Sequence, residues 1–218
     1  MQFKVLSMET KSAEYLKDLT EIRSMMEKSS RFISLSGLSG ICAGLLAIAG
    51  AAFAYFSPTL SHYLFDGNAF GIDYPSSVIA LLALDAVVVL ILSLAGGIYF
   101  TTRKARARGL KVWDASARRL VINLLLPLVA GGFFCLSLIY HGLIPLVAPA
   151  TLVFYGIALL NGSKYTYNDI RYLGICEIIL GLIASFYPGY GLLFWTVGFG
   201  ALHILYGVSM YYKYERES

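Results

Sequence analysis

Residues 78–100 read VIALLALDAVVVLILSLAGGIYF, and residues 101–119, which follow directly, read TTRKARARGLKVWDASARR. The first stretch carries no charge apart from Asp85 and is otherwise almost continuously apolar. A helix rising about 1.5 Å per residue needs about 20 such residues to cross a hydrocarbon core about 30 Å thick. Polarity does not alternate along it as in a barrel strand, and a lone strand in lipid would leave its backbone groups unsatisfied. The second stretch carries Arg103, Lys104, Arg106, Arg108, Lys111, Arg118 and Arg119. An apolar span running straight into a cluster of cations marks the cytoplasmic end of a membrane helix.

The same pattern extends outward in both directions. Further apolar runs occupy about 34–56, 120–141, 143–161, 172–188 and 191–211, which predicts an all-α polytopic membrane protein of six transmembrane helices. Composition agrees: 58% of residues are hydrophobic and 14% charged, against about 45–50% and 25% in soluble domains. Of the 17 Lys and Arg, six lie in 1–33, seven in 101–119, two in 162–171 and two after 211. The connections at 57–77, near 142 and near 189 hold none. The positive-inside rule then places both termini in the cytoplasm. Tyrosines gather near the predicted span ends, as in an aromatic belt.

Three regions follow: 1–33, a cytoplasmic amphipathic helix; 34–211, the transmembrane domain; and 212–218, a cytoplasmic tail. Within the first, Tyr15, Leu19, Ile22, Met26 and Ile33 recur at helical spacing. That stripe either packs on the protein's own cytoplasmic ends and the headgroups or forms a short dimerising coiled coil. Residues 1–30 lack the apolar core and cleavage site of a signal peptide, so the first span is expected to act as the insertion signal. Ser36, Gly40 and Gly44 line one face of that span and would let another helix approach closely, within the chain or in a second copy. Cys42, Cys135 and Cys176 fall in separate apolar runs and read as buried packing thiols.

The stretch Gly174 to Trp195, GICEIILGLIASFYPGYGLLFW, continues through Gly198, Gly200, His203 and Gly207. It resembles the helix-hairpin repeat of small six-helix bacterial membrane proteins related to the acid-resistance membrane protein. Gly40-Ile41-Cys42 echoes Gly174-Ile175-Cys176, as a diverged copy would. The whole chain also looks like a member of an uncharacterised family of bacterial six-helix inner-membrane proteins. What the resemblance implies is architecture, with a role in acid or envelope stress by analogy.

Ionisable groups inside spans are costly and are functional candidates by default. Asp85 lies roughly 10 Å from the outer end of the second span, Glu177 roughly 9 Å from the inner face and His203 roughly 12 Å from it, at about 1.5 Å per residue. The short turn at Pro188-Gly189 makes the fifth and sixth spans antiparallel neighbours and brings Glu177 toward His203, with Asn123 able to join them. This cluster is either a protonatable site or a satisfied polar clasp between helices. His62 and His141 read as interfacial residues. No zinc spacing, nucleophile elbow, phosphate loop or second deep histidine for haem is present, so neither cofactor nor metal is expected. The seven cations of 101–119 are expected to meet anionic lipid headgroups rather than nucleic acid.

The leading expectation is a non-enzymatic multi-pass inner-membrane protein, an envelope- or stress-associated module with membrane lipids as partners. Self-association through the N-terminal helix or through Ser36, Gly40 and Gly44 is an option. The alternative is a small-solute or proton-coupled transporter using Asp85, Glu177 and His203 as its polar path. The carboxylates are expected in opposite leaflets, which disfavours a membrane enzyme built on both.

Overall fold

The computed structural model describes residues 35–64 and 74–216. Among them the chain is helical throughout, without strands. The amphipathic helix expected at 10–33 lies outside the described residues. We number the helices α1 (Gly37–Phe56), α2 (Pro58–Leu64), α3 (Ser76–Ala107), α4 (Ala115–Tyr140), α5 (Val147–Gly162), α6 (Asp169–Ser185) and α7 (Pro188–Tyr214). With the 3₁₀ turns at its two ends, α5 runs on over Ile144–Tyr165. Among the described residues, five helices are long and apolar enough to cross a membrane: α1, α3, α4, extended α5 and α7. The run expected at about 172–188 forms α6, whose 17 residues lie at the lower limit of spanning length.

Local signals explain the boundaries. Asp114 caps α4 by accepting a hydrogen bond from the Ala117 amide at 2.7 Å. Gly109 and Gly142, just beyond the ends of α3 and α4, adopt φ of +64° and +73°, the left-handed conformation in which glycine terminates a helix without steric cost. Helix α3 overruns the expected span by seven residues, through Arg103 to Ala107. Pro127 sits inside α4 without ending it.

Helix α7 joins two layers. Along one side it packs on α1, which in turn carries α3; on the other it meets α5 and α6, with α4 packed on α5. Both major contacts are glycine crossings. A Cβ on Gly40 would stand 3.2 Å from Gly207 Cα and from the His203 carbonyl, and one on Gly44 would stand 2.7 Å from the Gly200 carbonyl. Between α5 and α6, a Cβ on Gly156 would lie 2.6 Å from the Gly174 carbonyl, and one on Gly174 2.8 Å from the Gly156 carbonyl. Without side chains at these points the backbones themselves touch, which is how helices gain contact where lipid gives no hydrophobic drive.

Within the chain, the small-residue stripe of α1 meets α7. Gly40 and Gly44 face α7 of the same chain, and the Ser36 hydroxyl donates to Glu215 at 3.1 Å, so the stripe is already covered.

Candidate functional site

The π-helical segment Thr196–Leu202 interrupts α7. It spends one extra residue per turn, a form concentrated at functional positions. Its two glycines point to different layers. Gly200 faces Ile48 of α1, whereas Gly198 faces Glu177 of α6 and Leu152 of α5. A Cβ on Gly198 would stand 2.5 Å from Glu177 Oε2, so the missing side chain is what makes room for the carboxyl group.

His203 follows the segment and folds back along it. Its Nδ1 lies 3.0 Å from the carbonyl of Gly198, five residues earlier. A carbonyl only accepts, so Nδ1 carries a proton and donates it. In the neutral ring Nε2 is then the acceptor, and the Tyr155 hydroxyl, 2.8 Å away, donates to it. Phe199 stacks on the imidazole, with centroids 5.8 Å apart, and Tyr155 packs against both rings. Tautomer and orientation are therefore fixed by Gly198 on one side and Tyr155 on the other.

Glu177 completes the site. Its side chain is fully buried, and Oε1 lies 3.5 Å from His203 Nδ1. Neither carboxyl oxygen has a hydrogen-bond partner. An unbonded buried carboxylate is a high-energy state in any low-dielectric surrounding. A proton held on Glu177 itself, or an imidazolium at His203, relieves it, so proton occupancy and structure are linked at this point. The pairing expected across the Pro188-Gly189 hairpin is thus found as a close approach rather than a hydrogen bond.

The other candidates lie elsewhere. Asn123 is held on α4 and α5: its amide donates to the Arg119 carbonyl at 2.8 Å, and the Asn161 amide donates to its side-chain oxygen at 3.2 Å. It forms an interhelical clasp and does not join Glu177. Asp85 packs beside Gly50 of α1, on the α3 layer, away from α6. His62 and His141 lie against neighbouring tyrosines, Tyr63 and Tyr140. No group of His, Cys, Asp and Glu able to hold a metal occurs among the described residues.

Of the seven cations expected at headgroups, Arg103, Arg106, Lys111, Arg118 and Arg119 are exposed. Lys104 and Arg108 are engaged within the protein. Because α3 continues straight past its apolar part, Lys104 lies on the start of α1. Its ammonium there donates to the Leu35 carbonyl at 2.6 Å and pairs with Glu215 at 3.2 Å. Arg108 donates to the Tyr214 carbonyl at 2.6 Å. Glu215 also accepts from the Gly37 amide at 2.5 Å, and so caps α1 from the far end of the chain. Nearby, Asp169 accepts from Lys213 at 2.8 Å and from the Tyr214 hydroxyl. Tyr214 in turn stacks on Tyr167. This basic end ties α1, α3, α6 and α7 together.

Sequence reasoning missed Tyr155 and Tyr206. Both are half-buried tyrosines inside a span, whereas belt tyrosines mark its ends, and that displacement was the available signal. No protein-family model, curated protein or solved structure matches the chain.

Proposed function

We propose that this chain is a non-enzymatic multi-pass inner-membrane protein with six spans and cytoplasmic termini, and that it moves protons, alone or coupled to a small solute, through the Glu177–His203 pair. One observation carries the reading: Glu177 is fully buried with both oxygens unbonded, 3.5 Å from an imidazole. A residue kept only to clasp helices would be hydrogen-bonded, because an unsatisfied buried group weakens the packing it joins. An intramembrane carboxyl group that gains and loses a proton needs this freedom. The adjoining π segment supports the same reading, since it supplies both the carbonyl that orients His203 and the glycine that admits Glu177.

The test is a proton flux measurement. Purified protein is reconstituted into vesicles loaded with a pH-sensitive dye, and an imposed pH gradient is followed. The protein should dissipate the gradient faster than protein-free vesicles do, and Glu177→Gln should remove that excess. A wild-type rate equal to that of empty vesicles would overturn the reading.

A second reading, an envelope- or stress-associated module without internal chemistry, is favoured by the glycine crossings of α1 with α7 and of α5 with α6. Such close packing suits a rigid scaffold. In that case, loss of the gene should impair acid tolerance or envelope integrity, and Glu177→Gln should complement the loss fully.

A further inference from the structure

The hairpin of α3 and α4 carries exposed groups that the Glu177–His203 site does not use. Helix α3 runs about two turns past its apolar part, and its cations there divide between two faces. Lys104 and Arg108, four residues apart, turn inward to the Leu35 and Tyr214 carbonyls. Arg103 and Arg106, three residues apart, are exposed, as are Lys111 in the turn and Arg118 and Arg119 at the start of α4. The one acid in 101–119 is Asp114, whose carboxylate is engaged as the α4 cap, so the surface keeps a net positive charge. Two apolar side chains stand in the same turn: Leu110 is 39% exposed and Trp113 65%. Depth locates all of these groups. The apolar runs end at Phe100 and resume at Leu120. At about 1.5 Å per helical residue, Arg103 and Arg106 lie roughly 5 and 9 Å beyond the first boundary, and Arg118 and Arg119 roughly 3 and 2 Å before the second. A headgroup layer is roughly 5–8 Å thick on each side of the bilayer, so these cations stand at phosphate depth or within an arginine's reach of it.

We propose that this hairpin is a binding site for anionic phospholipid, in which the five exposed cations hold headgroup phosphates while Leu110 and Trp113 insert among the headgroups beside them. Neither Glu177 nor His203 takes part, so the site stands whether or not the protein moves protons. Of the seven cations in the run, five meet lipid and two, Lys104 and Arg108, hold the bundle together. Arginine grips phosphate through paired N–H donors, and an anionic surface attracts each cation within a Debye length of it. The aromatic and apolar pair decides between partners. Zwitterionic lipid would receive Leu110 and Trp113, since tryptophan favours the membrane–water interface, but would leave the cations without net counter-charge. A soluble polyanion such as nucleic acid would neutralise the cations but leave Trp113 in water, and it would have to displace headgroups to reach Arg118 and Arg119. An anionic bilayer surface satisfies both requirements at once.

The experiment embeds the full chain in nanodiscs of phosphatidylcholine with a minority of phosphatidylglycerol. Bromine is carried on the acyl chains of one lipid or the other, and quenching of tryptophan fluorescence is read. Of the two tryptophans, Trp195 is replaced by Trp195→Phe, so that Trp113 alone reports. Lipid beside Trp113 should be enriched in phosphatidylglycerol about fivefold or more over its bulk fraction. Combining Arg103→Gln, Arg106→Gln, Arg118→Gln and Arg119→Gln should return it to the bulk fraction. Arg171→Gln, at an exposed cation on α6, should leave the enrichment in place. Bulk composition around the unsubstituted patch would overturn the site, and so would an equal loss of enrichment in Arg171→Gln and in the fourfold variant. If the fourfold variant does not insert, a salt titration of the unsubstituted patch decides. Enrichment that disappears in ~1 M salt, where the Debye length is about 3 Å, supports the site, and enrichment that persists there overturns it. Binding of an RNA or DNA duplex, without lipid enrichment and abolished by the same four substitutions, would assign the surface to nucleic acid and overturn the lipid site.

Discussion

Glu177 Oε2 occupies the space in which a side chain at Gly198 would begin, 2.5 Å from the position of its Cβ. Leu152 Cδ2 lies equally near that position, at 2.5 Å, so an added methyl group has nowhere to go. Alanine is favoured over glycine in a helix by about 1 kcal/mol. Gly198→Ala should nevertheless destabilise the protein by about 1–3 kcal/mol, because overpacking outweighs propensity. Thermal unfolding in a fixed detergent would show it, and part of the loss should return when Gly198→Ala is combined with Glu177→Ala.

The same carboxyl group should be dispensable for folding. Replacing a buried ionisable group by an apolar one of similar volume often stabilises by about 1–4 kcal/mol. Glu177→Met should therefore raise the melting temperature while abolishing proton flux. A fall in stability would indicate that Glu177 holds the helices together and that its oxygens are bonded in the membrane.

What could be read from sequence followed from continuous patterns. Apolar runs became helices, and the short turn at Pro188-Gly189 brought Glu177 and His203 together. The remainder depended on contacts that no local pattern encodes. Glu215 caps α1 from 178 residues away in the chain, so nothing near Gly37 announces its partner. The π segment Thr196–Leu202 replaces no residue and leaves no mark in hydropathy, whereas Pro127, a residue type that breaks helices, lies inside α4 without ending it. Asn123 was grouped with Glu177 by depth, but depth says nothing of azimuth around a helix, and Asn161 is what it meets.

Glycine positions divide into two classes with opposite expected effects. Gly174 faces the Gly156 carbonyl, and a Cβ there would come within 2.8 Å of it. Gly174→Ala should cost about 1–3 kcal/mol by forcing α5 and α6 apart. Gly132 on α4 has nothing within 4 Å of its would-be Cβ, and Gly132→Ala should be neutral or stabilising by up to about 1 kcal/mol. Melting curves of the two variants should move in opposite directions, or only the first should move. Equal losses would contradict the assigned crossing.

Glu215 and Lys104 are both largely shielded, with side chains 12% and 8% exposed. Removing one partner strands the other's charge as well as opening the α1 cap, so Glu215→Ala should cost about 3 kcal/mol. Lys104→Met in the same background should recover much of that loss, since the cation then no longer needs an acceptor. A double-mutant cycle measured by unfolding gives the coupling. Simple additivity would mean that the pair is not formed.

Asp169 gives the basic end a pH dependence of definite sign. Burial opposes its charge, but hydrogen bonds from Lys213 and Tyr214, with the Lys213 charge, outweigh burial and hold the carboxyl group below its ordinary value of 3.8. A carboxylate depressed in the folded state contributes stability that is fully present above the unfolded pKa, about 3.9, and is lost as pH falls through the folded value. The pair is partly exposed, 55% at Lys213 and 28% at Asp169, which limits its worth to about 1 kcal/mol or less. Melting temperatures of the wild type and Asp169→Asn should therefore differ slightly at neutral pH and converge toward pH 3 and below. A difference that stayed constant over that range would mean that the contact contributes as packing, with no net contribution from the ion pair.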